Sequence, residues 1–418
     1  MNKVLLSILL AATAATQAQT TVNDSVTINS QYKDAVYYKL SDGTKTSTSN
    51  TDWHLAFSTQ KVQFPLNTLQ SVTIRFNGGS GVVVSQKAFT DTAFFTGDTV
   101  GFSTFTKLYD SDSNLDSGAF NNGLNISKFD YGWGVYNQNS KNIPGRNMFY
   151  VQLPTGAIKK FRVVELVYDT VWQVQYANLD NSNLQTVSIP KSQYQGELFA
   201  YLNLETNLVS SKEPNASEWD LLFHKYNARD VVGFDVYPSM GVWSNKGVEV
   251  AKAYPVDLNS NNYSGFTFSK TMNVIGRNWK DYQAPNWIIQ DSLVYFAKAK
   301  DGGIYKLVFT GFEGSATGKT LFSKTTIQTS AINEITKATL VCYPNPATNN
   351  LTIVADNIGK SAMFSLTDLS GKQVLSHTLS EGVFQTHNFD ISHIANGFYI
   401  ATIEQGGNKV QQRIVVSK

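Results

Sequence analysis

Cysteine is almost absent. Cys342 is the single one in 418 residues, so no intramolecular disulfide can form and stability has to come from packing. Charge is sparse as well: Asp, Glu, Lys and Arg make up 16% of the chain, and the net charge is +2. That balance excludes the polybasic surface that holds nucleic acid or an anionic membrane. Sustained helical periodicity is missing. The N-terminal apolar run is too short to span a bilayer as a permanent helix, and no later stretch reaches transmembrane length. The spacings of common enzymes are missing too, with no Gly-x-Ser-x-Gly elbow and no His-Glu-x-x-His pair. Gly314-Ser315-Ala316-Thr317-Gly318-Lys319-Thr320 is one residue short for a P-loop. Leu321-Phe322-Ser323 offers no helix behind it, so the segment reads as a turn. His54 and His224 are the only histidines before the C-terminal region. Neither carries the partner pattern of an acid–base pair, so each reads as a strand-face side chain.

Aromatic residues, by contrast, reach 12%, among many Ser, Thr and Asn, a composition that suits an all-β, mainly antiparallel extracellular protein. Lys3 followed by the apolar run Val4–Ala15 and the small residues of Thr16-Gln17-Ala18 reads as a secretory signal, residues 1–18, cut after Ala18. The rest is organised around a repeated phrase. Asp52-Trp53-His54-Leu55-Ala56-Phe57 returns as Glu218-Trp219-Asp220-Leu221-Leu222-Phe223, each alternating large apolar residues with the period of a half-buried strand. Gln31-Tyr32 and Gln193-Tyr194 precede the two copies. Gly81–Ser85 and Gly247–Ala251 follow them. Trp133 and Trp279 each stand 23 residues before a turn glycine, Gly156 or Gly302. Four matches in the same order indicate a duplicated module, with copies expected at 21–179 and 193–328. Gln70–Phe76 and Lys160–Leu166 alternate like strands. The polar stretch Tyr109–Asn125 occurs in the first copy alone and reads as a solvated loop. Its Asp110, Asp112 and Asp116 lack the closing Glu of a calcium loop.

Residues 340–418 differ in character. They open with Tyr343-Pro344-Asn345-Pro346, which cannot enter a central strand, and continue as short alternating strands expected to form a small β-sandwich. This region resembles a type A C-terminal sorting domain of the type IX secretion system. The resemblance is carried by Tyr343, Pro344, Asn345 and Pro346, by the Asp368…Gly371-Lys372 turn, by Asn396-Gly397-Phe398-Tyr399, and by Val415-Val416-Ser417-Lys418. It implies export across the outer membrane by the type IX machinery, with release or attachment at the surface. Five Asp-Ser/Thr-apolar triplets, at Asp24, Asp91, Asp98, Asp169 and Asp291, resemble the O-glycosylation motif of bacteria with this system.

The two modules resemble the HmuY family of haem-binding proteins. The second copy carries most of the likeness, in Trp219-Asp220-Leu221-Leu222-Phe223-His224-Lys225-Tyr226 and in Ala299–Leu307 with its Asp301-Gly302 turn. The first copy has His54 where the family has Asp. The resemblance implies a β fold with ligand loops at one edge, and haem held between two axial side chains, His or Met. Here Met240 and Met272 are the one residual pair, with Trp243, Trp279, Tyr282 and Trp287 as flanking rings. The expected role is therefore non-catalytic binding at or beyond the cell surface, of haem or a related apolar ligand. A surface adhesin that has lost the ligand site is the alternative, ahead of an enzyme with an unrecognised site.

Overall fold

The computed structural model describes residues 20–418, except 63–68, 89–91, 123–126, 128, 230–232, 329–338, 357, 359–361, 381, 383–384 and 406–407. The signal segment lies outside the described residues. The chain divides into two units, Met1–Thr329 and Ser330–Lys418. Both are built from antiparallel sheets, as the composition and the two-residue periodicity require.

The larger unit holds two hydrophobic cores of similar make-up. One is formed by residues from Leu55 to Leu204. The other joins Val26, Ile28, Val36, Tyr38 and Leu40 to residues from Leu221 to Phe322. The expected division at 21–179 and 193–328 is therefore displaced. The strand Thr21–Thr27 pairs along its whole length with Lys319–Gln328, at the far end of the unit. Asp34–Tyr38 pairs with Leu221–Ala228, which follows the second Trp. Conversely, Phe199–Leu202 pairs with Leu55–Ser58, which follows the first Trp. Each Trp-bearing strand thus takes its neighbour from the other copy. The two lie in separate four-stranded sheets.

The copies superpose in their bonding. Tyr38 faces Leu221 as Leu202 faces Leu55. The His54 N–H donates to Leu202 O, and the Asp220 N–H donates to Tyr38 O. Asn77 Nδ2 donates to the carbonyls of Asn50 and Trp53. Asn245 Nδ2 donates to those of Ala216 and Trp219. Trp133 and Trp279 are both fully buried. Gly156 and Gly302 take left-handed backbone (φ +87° and +84°) at matching hairpin turns, a conformation that costs Gly nothing. Lys160–Leu166 lies within the strand Ile158–Val167, as its alternation predicts. Gln70–Phe76 does not remain extended. Leu69–Val72 is a single helical turn and only Ile74–Phe76 is strand. The turn wins because its carbonyls have strong donors: Lys191 Nζ reaches Ser71 O at 2.7 Å and Trp133 Nε1 reaches Val72 O at 2.9 Å. Gly314–Ala316 is a short 3-10 turn running into a strand, so no phosphate-binding helix follows it.

The C-terminal unit packs a three-stranded sheet and a four-stranded sheet around one core, the expected sandwich. Its marker residues are structural clips. Tyr343 ends the Thr339–Tyr343 strand, and Pro344 and Pro346 flank Asn345. The Asn345 side chain donates to Arg413 O (3.0 Å) and accepts from the Val415 N–H (2.9 Å), replacing the strand bonds that the prolines cannot make. Asp368 Oδ1 accepts from the N–H groups of Ser370 and Lys372, closing the turn at Gly371. Gly397 opens the last-but-one strand, and Tyr399 within it donates its hydroxyl to Ala395 O at 2.8 Å. The terminal Lys418 donates from Nζ to Ile394 O at 2.6 Å and from its N–H to Asn396 Oδ1 at 2.9 Å.

The displaced division has a direct consequence. Removing residues 20–50 deletes one edge strand and two strands of a four-stranded sheet from the second core, and none from the first. Amide exchange followed by mass spectrometry should show 219–328 losing protection in this truncation while 53–213 keeps it. Loss of protection confined to 53–179 would restore the division read from the repeats.

Candidate functional site

The exchange of strands brings equivalent residues of the two copies face to face. Tyr37 sets its ring edge against Trp219 (4.9 Å between centroids, 71°), and Tyr201 does the same against Trp53 (4.9 Å, 78°). Tyr37 and Tyr201 are bonded to each other through their hydroxyls. Strand register makes Arg75 and Trp243 counterparts, since they pair with Ala56 and Leu222 respectively. The Arg75 guanidinium lies over the Trp243 ring at 5.5 Å. Gly79 marks the closest approach, because a Cβ there would stand 2.1 Å from Lys225 O.

Between these pairs lies a cleft of about 910 Å³ including its open mouth. Its walls are mainly aromatic, with Tyr37, Trp53, Phe199, Tyr201, Trp219 and Trp243 prominent. The loop read as solvated forms part of the wall. Arg75 donates to the carbonyls of Ser111, Asn114, Leu115 and Ser117. Asp110 sits 3.7 Å from Arg75 Nε and accepts from the Ala119 and Phe76 N–H groups. The far end of the loop reaches the other copy, where Asp116 pairs with Lys246 and Met272 donates its N–H to Ser113 O. Polar composition indicated solvent, whereas the carboxylates and carbonyls are spent on Arg75 and Lys246.

Electrostatics in the cleft follow from burial. Glu213 is enclosed, and Oε1 accepts from the N–H groups of Leu198 and Phe199 at 2.5 and 2.6 Å. Burial outweighs those bonds and pushes its pKa up to about 8, so the side chain is a neutral acid near pH 7. Burial and the Arg75 charge hold His224 down at about 3, which keeps the imidazole neutral. His54 lies away from the cleft. It occupies the position of Asp220, and each accepts a backbone N–H at the end of the partner strand: Leu204 N–H to His54 Nδ1 (2.9 Å), Leu40 N–H to Asp220 Oδ2 (2.8 Å). That bond fixes the neutral Nε2–H tautomer of His54 and explains how His substitutes for Asp there.

Four polar atoms on residues lining the cleft are buried without a hydrogen-bond partner: Trp219 Nε1, Trp243 Nε1, His224 Nε2 and Asn227 Oδ1. Such atoms are rare in folded proteins, and each calls for an explanation.

The structure places the methionines elsewhere. Met240 packs in the second core, where the Thr320 hydroxyl donates to its sulfur at 4.0 Å. Met272 packs against Tyr226, Ala228 and Trp243. Its carbonyl accepts from the Ser244 N–H, four residues along the strand from Met240, or about 13 Å at strand rise. The two do not meet across a cleft, because each fills a gap in a different packed layer, and neither lines the site. Of the rings expected beside them, Trp279 is stacked on Phe309, Trp287 packs at the margin of that core, Tyr282 is exposed, and only Trp243 reaches the cleft. Among the described residues no group of three or more His, Cys, Asp or Glu could hold a metal ion. Of the Asp-Ser/Thr triplets, Asp91 lies outside the described residues. Thr170 is exposed at a tight turn whose Asp169 is tied to Lys191.

Glu213 and Arg75 carried no motif, since neither is near its partners in sequence. Only the upstream repeat that begins at Gln31-Tyr32 and Gln193-Tyr194 hinted that these segments matter. Glu213 offers a test. Its folded pKa exceeds the unfolded value, so its contribution is most favourable below about pH 4.5 and is lost as pH rises toward about 8. Glu213→Gln removes that dependence and keeps an acceptor for the two N–H groups. The stability of the wild type relative to this variant should fall by on the order of a few kcal/mol across that window in pH-dependent urea unfolding. Parallel curves for the two proteins would show that Glu213 ionises freely.

Comparison with known proteins bears on the two units unequally. No curated protein matches the chain. One solved structure, described as PorZ, an essential bacterial surface component of the type-IX secretion system of human oral-microbiomic Porphyromonas gingivalis, is similar over 68% of this chain. It is 13% identical, with a TM-score of 0.17, and the chain spans 41% of that structure's length. Residues 341–417 match the secretion system C-terminal sorting domain family. The chain therefore carries a type IX sorting domain and is an exported protein of the cell surface or extracellular space.

Proposed function

We propose that the exported chain is a non-catalytic binding protein, and that its ligand seat is the cleft where the two copies meet. The observation that carries this reading is the aromatic-walled cleft at the junction, on whose lining residues four buried polar atoms lack a hydrogen-bond partner. A cleft of mainly apolar wall favours a compact, largely apolar ligand. The resemblance of the duplicated strands to HmuY-type modules supports a binding role of this class. The methionine positions give haem no axial pair.

Titration with the neutral apolar dye N-phenyl-1-naphthylamine tests the seat. Wild type should bind about one dye per chain. Leu222→Trp, which fills the cleft from a half-buried wall position, should lose binding by roughly tenfold or more while keeping its unfolding midpoint. Equal binding by both proteins would move the site elsewhere. No binding by either would favour the adhesin reading. A parallel haem titration should give no absorption band that depends on Met240 or Met272. Deleting residues 340–418 should leave the remainder in the periplasm. Full-yield appearance of the truncated protein in the medium would contradict the sorting role of the tail.

A further inference from the structure

We infer that His377 and His387 form a two-histidine site for a divalent transition metal, zinc above all, which ties together the two sheets of the C-terminal unit. Histidine is scarce, with five in the chain, and two of the five meet here. Gln373–Leu379 is the edge strand of the four-stranded sheet, and Gln385–Asp390 is the edge strand of the three-stranded one. His377 stands opposite Phe364, and His387 stands opposite Ile353. Phe364 and Ile353 are both fully buried in the core between the sheets. Paired residues share a face, so both imidazoles are turned inward, at positions where alternation calls for apolar side chains. Their neighbours on the same faces follow that rule: Leu375 and Leu379 flank His377, and Phe389 follows His387. The two histidines lie at the rim, where His377 is exposed and His387 half-buried.

The spacing of the rings suits one shared ion. Their centres are 4.9 Å apart, with the planes inclined at 58°. A tetrahedral ion about 2 Å from one nitrogen of each imidazole sets the ring centres about 5 Å apart, so the strands need not move. Gln385 prepares the second ring. Its Nε2 donates to Ser380 O, which turns its Oε1 toward His387 Nε2 at 3.2 Å. The carbonyl oxygen can only accept, so the proton of His387 sits on Nε2 and the Nδ1 lone pair stays open. A ring whose second nitrogen donates to a fixed oxygen is the arrangement that metal-bound histidines adopt. The His377 ring has no hydrogen-bond partner among the described residues, so it has a lone pair to give in either tautomer.

Two protein ligands leave the other positions to water, so the ion exchanges readily, unlike one held in a closed site of four protein ligands. Imidazole donors suit zinc, copper and nickel, and they discriminate against magnesium and calcium, which require oxygen. The bound ion would link two strands that no backbone hydrogen bond joins, since they belong to different sheets. It would close the open side of a sandwich whose single Cys342 can form no internal disulfide. The competing role for the pair is to guard the edges, because inward polar groups discourage an edge strand from pairing with another chain. That role needs no metal, and zinc would then leave the two strands unchanged.

Calorimetric titration with zinc tests the site on the full chain without its signal segment, purified without a histidine tag. Wild type should take up one ion per chain, and magnesium should not replace it. Gln385→Ala should weaken zinc binding by about tenfold, as expected when the partner of a ligating histidine is lost. His377→Ala and His387→Ala should each weaken it further. His393→Ala, at an exposed histidine outside the pair, should leave it unchanged. Amide exchange followed by mass spectrometry reads the link directly. Zinc should slow exchange in both 373–379 and 385–390 of wild type, and in neither histidine variant. Circular dichroism of each variant shows whether it is folded. Zinc uptake that survives both histidine substitutions would overturn the inference and mean an adventitious ion only. Absence of uptake by wild type would overturn it and leave the pair as an edge guard. Slower exchange in one strand alone would overturn the link between the sheets.

Discussion

The pairing of Thr21–Thr27 with Lys319–Gln328 holds the larger unit in its form. Seven residues, Thr21–Thr27, complete the edge of a sheet whose other strands lie between Glu249 and Gln328. Val26 and Ile28 enter the second core from this segment, and Asp34–Tyr38 then supplies a strand to the sheet that carries Trp219. Side chains reinforce the closure. Tyr38 donates to Asp24 at 2.8 Å, Lys45 pairs with Asp24, and Lys324 donates to Leu40 O at 2.6 Å. Without this segment the second core would lack five buried apolar residues.

The cleft is a by-product of the same closure. Because each Trp-bearing strand borrows its neighbour from the other copy, the paired Tyr and Trp residues converge at the junction instead of pointing into separate cores. One copy alone would present Trp53 or Trp219 without its Tyr partner. The asymmetry that makes the cleft chemically distinctive arose where the copies diverged: Arg75 against Trp243, Ala56 against Leu222, and Ser58 against His224, at matching strand positions. Duplication supplied the shape, and divergence supplied the polar groups.

With one cysteine and no disulfide, the unit locks its layers with buried cations. Lys191 donates to Gln60 O and Ser71 O, Lys280 to Met240 O, and Lys324 to Leu40 O. Lys280 also lies 4.3 Å above the Trp279 ring and 4.8 Å from that of Phe312. Burial lowers its pKa to about 7 and that of Lys191 to about 8. Each ammonium satisfies carbonyls that strand pairing leaves open, and removing one would strand those acceptors in the interior.

By itself the sequence determined the β class, the duplication and the C-terminal sandwich with its clips. These follow from local rules: alternation, turn glycines and the prolines of Tyr343-Pro344-Asn345-Pro346. It also determined which residues correspond, since Trp53 and Trp219 and the two turn glycines do occupy matching places. Tertiary structure alone decided the phase of the repeat. A repeated pattern fixes its period but not where each unit begins, and hydrogen bonding between strands far apart in the chain settled that the first core runs from Leu55 to Leu204 while the N-terminal strands belong to the second. The site was hidden for the same reason. Glu213, Arg75, Tyr37 and Tyr201 lie on four separate segments, with no motif to join them, and become neighbours only when the two copies exchange strands.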